Sequence, residues 1–200
     1  LSTTNMRPRL FDSDKVLDQA FEQFWSNGIR STSIADLARA TGLQRGSLYN
    51  AYGGKEGLFL AAYERYAQGY LAEVDKAMTG NSLRAQLEGY CRVSISNFCR
   101  GRPSRSCPTT KGLMESDDGD SQGLGPESRK VLSSLVTRIV SRVERAFVQG
   151  VERGDFVGDP SIAATHLVAV VRGLVILERT GYTRKQLTAT ANHTIDLILK

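Results

Sequence analysis

The feature that most constrains this chain is the apolar periodicity of an α-helix along almost its whole length. Apolar residues recur three and four positions apart, as Leu17, Ala20, Phe21 and Phe24 do near the start, and this spacing lines one face of a helix. No alternating run of β-branched residues lies between turn residues, as a strand would require. The sequence therefore predicts an all-α protein with about nine helices.

Turn and capping residues predict where most of these helices begin and end. Ser33 followed by Asp36 resembles a capping box. Further starts are predicted at Asp12 or Ser13, Ser82, Pro126, Pro160 and Thr183, and ends near Gly28, Gly42, Gly154 and Gly181. Residues 101–125 carry fewer signals, and we expect one short helix near 109–115 inside an exposed loop. Gly57 falls in the first turn of a predicted helix, where glycine costs about 0.5–1 kcal/mol relative to alanine, and the sequence does not explain it.

Composition and spacing exclude several classes of function. No apolar run reaches the ~18–20 residues that span a bilayer, and the start of the chain lacks the apolar stretch of a secretory signal. We therefore expect a cytoplasmic protein without membrane contact. The three cysteines and two histidines are not in metal-ligand spacing. The sequence also lacks paired carboxylates, a nucleophile elbow and a phosphate-binding loop, so we expect no enzyme, no metal and no cofactor.

The segment Ile34–Lys55 has the layout of a helix-turn-helix, in which the second short helix enters the DNA major groove. The side chains predicted to face outward from that second helix are Gln44, Arg45, Ser47, Tyr49 and Asn50. Arginine reads guanine, and glutamine or asparagine reads adenine, whereas serine and tyrosine hydroxyls contact phosphates. The same layout occurs as two simply packed helices in other α-proteins, so it leaves both interpretations open. The basic residues that give the chain its net charge of +5 also lie outside this segment. The net charge therefore does not decide between DNA binding and simple helix packing.

Two stretches carry a more specific signal: TSIADLARATGL at 32–43 and GSLYNAYGGKE at 46–56. With the rest of residues 13–66, they resemble the DNA-binding domain of the TetR family of bacterial transcriptional regulators. The resemblance implies a three-helix DNA-binding head within residues 1–55 and a helical effector-binding and dimerisation domain over 56–200. The DNA contacts it implies are Ser33, Arg45, Gly46, Ser47, Tyr49, Asn50 and Lys55, with Tyr49 and Lys55 on phosphates. Gln44 stands where the family more often has a Ser or Thr cap, so it either caps the reading helix or contacts a base.

The last two predicted helices indicate a homodimer. The helix after Pro160 is apolar nearly all round from Val168 to Leu177, and such a helix must be covered on both sides. The last helix presents Leu187, Ala191, Ile195 and Ile198 at helical spacing. A second copy of the chain is the simplest cover, and the two pairs of helices would form a four-helix seam.

The stretch 106–115 is similar to a Gly-Cys-apolar stretch in some family members, with Ser106 in place of the glycine. The resemblance implies a short helix that borders the effector pocket. The candidate effector contacts are Tyr90, Phe98, Cys107, Met114, Phe147 and His166. The alternative for each is a core or structural role, and Tyr90, Phe98, Met114 and Phe147 are expected on inward faces. Cys107 follows Arg100, Arg102 and Arg105, whose charges would lower its pKa, so it is either a reactive thiol or a small apolar residue at a helix start.

These observations predict a dimeric, ligand-responsive transcriptional regulator whose partners are double-stranded operator DNA and a small-molecule effector. By the commoner outcome in the family, it is a repressor that the effector releases from a palindromic operator. The first alternative is the same scaffold working as a thiol-based redox or electrophile sensor through Cys107. The second is a helical small-molecule carrier or enzyme that does not bind DNA.

Overall fold

The regular structure of the chain is α-helical wherever it is described. A computed structural model describes residues 11–101, 106–115 and 125–200. The helices in these ranges are α1 (Ser13–Asn27), α2 (Ile34–Thr41), α3 (Arg45–Tyr52), α4 (Lys55–Ala77), α5 (Leu83–Phe98), α6 (Pro108–Glu115), α7 (Pro126–Arg153), α8 (Pro160–Arg179) and α9 (Arg184–Ile198). They confirm the all-α prediction and the expected number of helices.

Local capping residues set the ends of these helices, largely where the sequence predicts. Asp12 caps α1, because its carboxylate accepts from the N–H groups of Asp14 and Lys15 at 3.1 and 3.3 Å. Pro126 occupies the first turn of α7, and Gly154 ends that helix in the left-handed conformation at φ 77°. Side chains of Ser82, Asp159 and Thr183 cap α5, α8 and α9. The loop expected between α6 and α7 lies largely outside the described residues.

The chain divides into two compact units after Tyr66, within α4. The N-terminal unit has an aromatic core in which Phe21 of α1 stacks on Tyr66 at 4.4 Å between ring centroids. Phe24 meets the ring of Phe59 edge-on at 5.4 Å. Because the first half of α4 supplies two of these rings, the unit continues beyond Lys55, where the sequence analysis places the boundary.

The C-terminal unit is a helical bundle. In it α7 packs on α8, α8 on α9, and α5 on both α7 and α9. Arg84 of α5 pairs with Asp196 of α9 at 2.7 Å. Gly89 of α5 lies so close to the end of α4 that a Cβ there would overlap the carbonyl oxygen of Ala77. The bundle is therefore tightly packed where α5 crosses the end of α4.

Candidate functional site

The first helix of the helix-turn-helix is held by a complete capping box. The N–H of Asp36 donates to Ser33 Oγ at 3.2 Å, and the N–H of Ser33 donates to the Asp36 carboxylate at 3.0 Å. The Ser33 hydroxyl also donates to that carboxylate. These bonds from Ser33, assisted by Arg39, lower the pKa of Asp36. Ser33 is exposed, but its hydroxyl already serves the start of α2.

The second helix, α3, presents a polar face above a single buried anchor. Leu48 is fully buried, whereas Ser47 is half-buried. Five residues of α3 and its N-cap are exposed: Gln44, Arg45, Gly46, Tyr49 and Asn50. Gln44 makes no side-chain capping bond, so its amide group does not replace the usual cap. The structure brings these predicted contacts together on one short helix.

Two glycines shape the surface of α3. A Cβ built on Gly46 meets no atom within 4 Å, so the protein itself does not require glycine there. At Gly54, which has φ 124°, a Cβ would lie 3.3 Å from Cε1 of the Tyr49 ring. The ring of Tyr49 therefore lies against the turn after α3, although its side chain remains 54% exposed. This contact orients an exposed phenol beside the polar face.

Lys55, like Ser33, is a predicted DNA contact whose polar group the protein already binds. Lys55 Nζ donates to the carbonyl oxygens of Ile29 at 3.1 Å and Arg30 at 3.5 Å. These bonds tie the start of α4 to the loop between α1 and α2. Lys55 thus braces the N-terminal unit, and its predicted phosphate contact has to be made by a half-buried side chain.

The predicted effector contacts fall into two groups. Tyr90, Phe98, Cys107 and Phe147 are buried in the C-terminal unit. The prediction that Met114 faces inward is wrong, because its side chain is 66% exposed at the end of α6. His166 is exposed on α8. A crevice of about 180 Å³ lies elsewhere, between the end of α4, α5 and α7, and its lining includes Gln86, Arg142 and Gln149.

Cys107 lies at the start of α6 against a cation that the sequence analysis does not connect with it. Arg172 Nη1 of α8 donates to Cys107 Sγ at 2.8 Å. Burial by itself raises the pKa of Cys107, but the charge of Arg172 and hydrogen bonds from Thr110 and Thr109 lower it below the ordinary cysteine value. The sequence signal is Arg172 itself, which interrupts the apolar run of α8, because an arginine among apolar residues needs a partner for its charge. The sequence analysis attributes the lowered pKa to Arg100, Arg102 and Arg105; Arg100 is exposed, and Arg102 and Arg105 lie outside the described residues.

The backbone before this thiol is strained. Ser106 has φ 67° and is the non-glycine residue with positive φ in the described part of the chain. An L-residue in this conformation costs about 1–2 kcal/mol.

The other two thiols differ from Cys107 because their pKa values are raised. Desolvation raises the pKa of the buried Cys91 to about 12, and it is also the main cause of the raised pKa of Cys99.

One face of α8 carries exposed apolar side chains. Ile162 is 70% and Ile176 is 61% exposed, and Leu197 of α9 is 56% exposed. Gly173, between Ile162 and Ile176 in α8, is also exposed, and a Cβ built there would meet no atom within 4 Å. By length and a mean hydropathy of 1.7, α8 would also qualify as a membrane span, but its inner face packs on α7 and α9. The described residues of the chain leave this outer apolar face uncovered.

Comparisons with known proteins agree with this geometry. A family model described as "Bacterial regulatory proteins, tetR family" matches residues 16–62, which run from α1 into α4. The HTH-type transcriptional repressor ComR of Escherichia coli is 28% identical over 200 residues, covering 96% of this chain and 90% of ComR. The uncharacterized HTH-type transcriptional regulator YezE of Bacillus subtilis is 28% identical over 192 residues, covering 96% and 91%.

Solved structures share this architecture over at least 90% of the chain. A cysteine mutant of the TetR family transcriptional regulator CifR, solved with 26-base-pair operator DNA, is 28% identical with a TM-score of 0.78. The match covers 95% of this chain and 98% of that one. The reduced form of Escherichia coli NemR, at 19% identity and a TM-score of 0.79, shares the fold over 90% of this chain and 93% of its own.

A helix-turn-helix with an exposed reading helix, followed by a helical bundle, defines a DNA-binding transcriptional regulator. The family model matches the helix-turn-helix region, and the similarity to ComR extends over nearly the whole chain. Together these matches identify which group of transcriptional regulators the chain resembles. Residues 16–62 match the TetR family of bacterial regulatory proteins, and the chain is similar over nearly its full length to transcriptional regulators of that family.

Proposed function

We propose that this protein is a homodimeric transcriptional repressor that binds a palindromic operator through α3 and leaves it when a small-molecule effector binds the C-terminal unit. The observation that carries the DNA-binding part is the row of exposed polar groups on α3 above the buried Leu48. ComR, a relative, is named a repressor. We place the protein in the bacterial cytoplasm and assign it no catalytic function, metal or cofactor.

The chemistry of α3 suits the reading of a major groove. The Arg45 guanidinium can donate two parallel bonds to O6 and N7 of a guanine, and the amides of Gln44 and Asn50 match an adenine. Hydroxyl groups of Ser47 and Tyr49 can donate to phosphates. Because Gly46 has no side chain, the first turn of α3 can approach the DNA backbone closely.

The test begins with an operator selected from a pool of random duplexes by the purified protein. Arg45→Ala should weaken binding to the selected duplex by about 1–3 kcal/mol and relax the preference at one base pair. Arg92→Ala, which removes an exposed arginine from α5 in the C-terminal unit, is the matched control and should leave the preference unchanged. Equal affinity for every duplex, unaffected by Arg45→Ala, would contradict the proposal.

The uncovered face of α8 supports the homodimer. Ile162, Ile176 and Leu197 are exposed large apolar side chains on the last two helices, and a second copy can cover them by a two-fold arrangement. Gly173 costs about 1 kcal/mol in an exposed helix, and a closely packed partner helix would explain its retention. Two heads in such a dimer would contact half-sites about 34–36 Å apart.

Release by an effector follows if the ligand favours a dimer whose two heads no longer match successive major grooves. We propose that the ligand binds near α5 and α7, where Tyr90, Phe98 and Phe147 supply apolar side chains. These side chains are buried in the bundle, so ligand entry requires them to move. Titration of candidate compounds against the operator complex, followed by fluorescence anisotropy, tests this part separately from DNA binding.

The specific contact between Arg172 and Cys107 favours a second candidate, in which the same regulator senses redox or electrophilic compounds through this thiol. A cation at 2.8 Å and the N-terminus of a helix both stabilise a thiolate, which is the reactive form of cysteine. The test is whether mild oxidant or electrophile releases DNA from the wild type and not from Cys107→Ser. Equal release from both proteins would exclude Cys107 as the sensor.

A further inference from the structure

The crevice of the C-terminal unit lies between the end of α4, the start of α5 and the second half of α7. Its volume is about 180 Å³, and an apolar cavity of about 150 Å³ holds a benzene molecule. The crevice therefore has room for a ligand of about six to eight non-hydrogen atoms. Its described lining does not include Tyr90, Phe98 or Phe147, near which we place the effector, so it is a separate candidate site.

One face of α7 forms the charged wall of the crevice. Arg142, Arg145 and Gln149 line it, and their spacing of three and four residues places them on the same side of the helix. The small side chain of Ala146, which is 5% exposed, lies on that side as well, and Met78 adds apolar surface after α4. The wall therefore offers two guanidinium groups and an amide beside a short apolar stretch.

Arg142 already has an anionic partner in the crevice. Its Nε and Nη2 donate to the two carboxylate oxygens of Asp75 at 2.7 and 3.1 Å, and this ion pair ties α7 to the end of α4. Since Asp75 balances Arg142, the exposed Arg145 gives the described lining an excess of positive charge. A small anion is therefore the ligand that the charge of this lining favours.

Gln86 of α5 adds an acceptor to the lining. It is 9% exposed, and its Nε2 donates to the carbonyl oxygen of Gly80 at 2.9 Å. Its Oε1 is buried and has no hydrogen-bond partner within residues 11–101, 106–115 and 125–200. A buried acceptor without a partner is unfavourable, so a ligand hydroxyl that reaches this oxygen would supply the missing hydrogen bond.

We propose that this crevice binds a small organic carboxylate that also carries a hydroxyl group. The ligand carboxylate accepts from Arg145 and from the side-chain amide of Gln149, and it competes with Asp75 for Arg142. The ligand hydroxyl donates to Gln86 Oε1. An α-amino acid fits less well, because its ammonium group cancels its own carboxylate and leaves the charge of Arg145 unbalanced.

Three probes of nearly equal size separate the two features of the ligand. They are 3-hydroxybutyrate, butyrate, which lacks the hydroxyl, and 3-hydroxybutyramide, which lacks the charge. Each is titrated into the ¹⁵N-labelled full-length protein at fixed low salt without DNA. Shifts of assigned amide signals give both the Kd and the place of binding, and the outcome does not depend on the proposed function.

The hydroxy acid should bind best, with saturable shifts at Gln86 and Gln149. Loss of the hydroxyl should weaken binding about two- to tenfold, as one neutral hydrogen bond would. Loss of the charge should weaken it about threefold or more, since Arg145 is exposed to screening. Equal affinity for the three probes, or no saturable shift at the crevice, would overturn the proposal and leave water as the partner of Gln86.

Two substitutions assign the contacts within the crevice. Arg145→Gln removes an exposed cation and should weaken binding of 3-hydroxybutyrate about threefold or more. Arg92→Gln is the matched control, because Arg92 is an exposed arginine of α5 outside the described lining. Gln86→Met keeps the length of the side chain and should make the affinities for 3-hydroxybutyrate and butyrate equal. An equal loss in Arg92→Gln, or a hydroxyl preference that survives Gln86→Met, would refute these assignments.

Asp75→Asn should act in the opposite direction. It removes the anion that competes for Arg142 while keeping the shape of the side chain, so 3-hydroxybutyrate should bind about threefold or more tightly than to the wild type. A merely structural role of the ion pair predicts the reverse, because loss of the link between α4 and α7 would loosen the crevice. The Asp75 side chain is 53% exposed, and far-UV circular dichroism verifies that the variant keeps its helices. Unchanged or weaker binding would refute the competition between Asp75 and the ligand.

Discussion

Two glycines in the N-terminal unit are predicted to respond in opposite ways to the same substitution. A Cβ on Gly46 of α3 meets no atom within 4 Å, whereas a Cβ on Gly57 of α4 would overlap the carbonyl oxygen of Tyr52. Gly46→Ala should therefore gain about 0.5–1 kcal/mol of stability from the better helix propensity of alanine. Gly57→Ala should lose about 1–3 kcal/mol, because backbone must move to admit the methyl group.

Gly46→Ala should weaken operator binding even though it stabilises the protein. If the missing side chain lets α3 approach the operator, a methyl group there costs about one contact of 1–3 kcal/mol, or roughly five- to 150-fold in Kd. Gly46→Ala would then be more stable and bind more weakly. Gly69→Ala is the control, since Gly69 is also an exposed helical glycine with no atom within 4 Å of its Cβ position.

The assay uses a reporter that the sequence supplies. Trp25 is the single tryptophan of the chain and is 3% exposed in the N-terminal unit, so its fluorescence in urea follows the unfolding of that unit. Operator affinity comes from fluorescence anisotropy at fixed salt. A loss of stability in Gly46→Ala would contradict the inference that α3 has room for a methyl group at this position. A gain in stability with unchanged affinity would refute the argument from close approach to DNA.

Three further predictions concern the C-terminal unit. Ile176→Glu should raise the dimer Kd more than about hundredfold by placing a charge in the seam, whereas Val151→Glu on α7 should not, as sedimentation would show. Ser106→Gly should stabilise the protein by about 0.5–1 kcal/mol in urea, because it relieves the positive φ of 67°; lower stability would contradict this. Since the folded pKa of Cys107 is lowered, its contribution to stability is full above the unfolded pKa of about 8.5 and declines as pH falls through the folded value. The stability difference between wild type and Cys107→Ser should therefore grow from pH 6 to 9, and a constant difference would contradict the ion pair.

The capping residues and the reading helix could be predicted because their signals are local. A capping box needs only Ser33 and Asp36, three residues apart, and Pro126 and Gly154 mark the two ends of α7 by their own backbone preferences. Likewise, the alternation of buried Leu48 with exposed neighbours on α3 follows from helical periodicity. Roles in DNA contact and effector binding remain predictions at the level of single residues.

The contacts that link distant residues were decided by tertiary structure. Met114 has an apolar side chain in a short amphipathic segment, yet nothing in the described fold covers it, and periodicity over eight residues could not show this. The role of Lys55 depends on two carbonyl groups in the loop after α1. The packing of the helices determines which carbonyl groups, distant in the sequence, the Lys55 ammonium group reaches.

Local sequence determined by itself the helices, their ends and the polar face of α3, because each depends on residues within about one helical turn. Only the tertiary structure explained Gly57, whose missing side chain makes room for the carbonyl group of Tyr52. It also placed Arg172 beside Cys107, 65 residues away in the chain. No periodic sequence pattern predicts either contact. Each forms between two different helices or their ends, and which helices contact each other depends on how the whole unit packs.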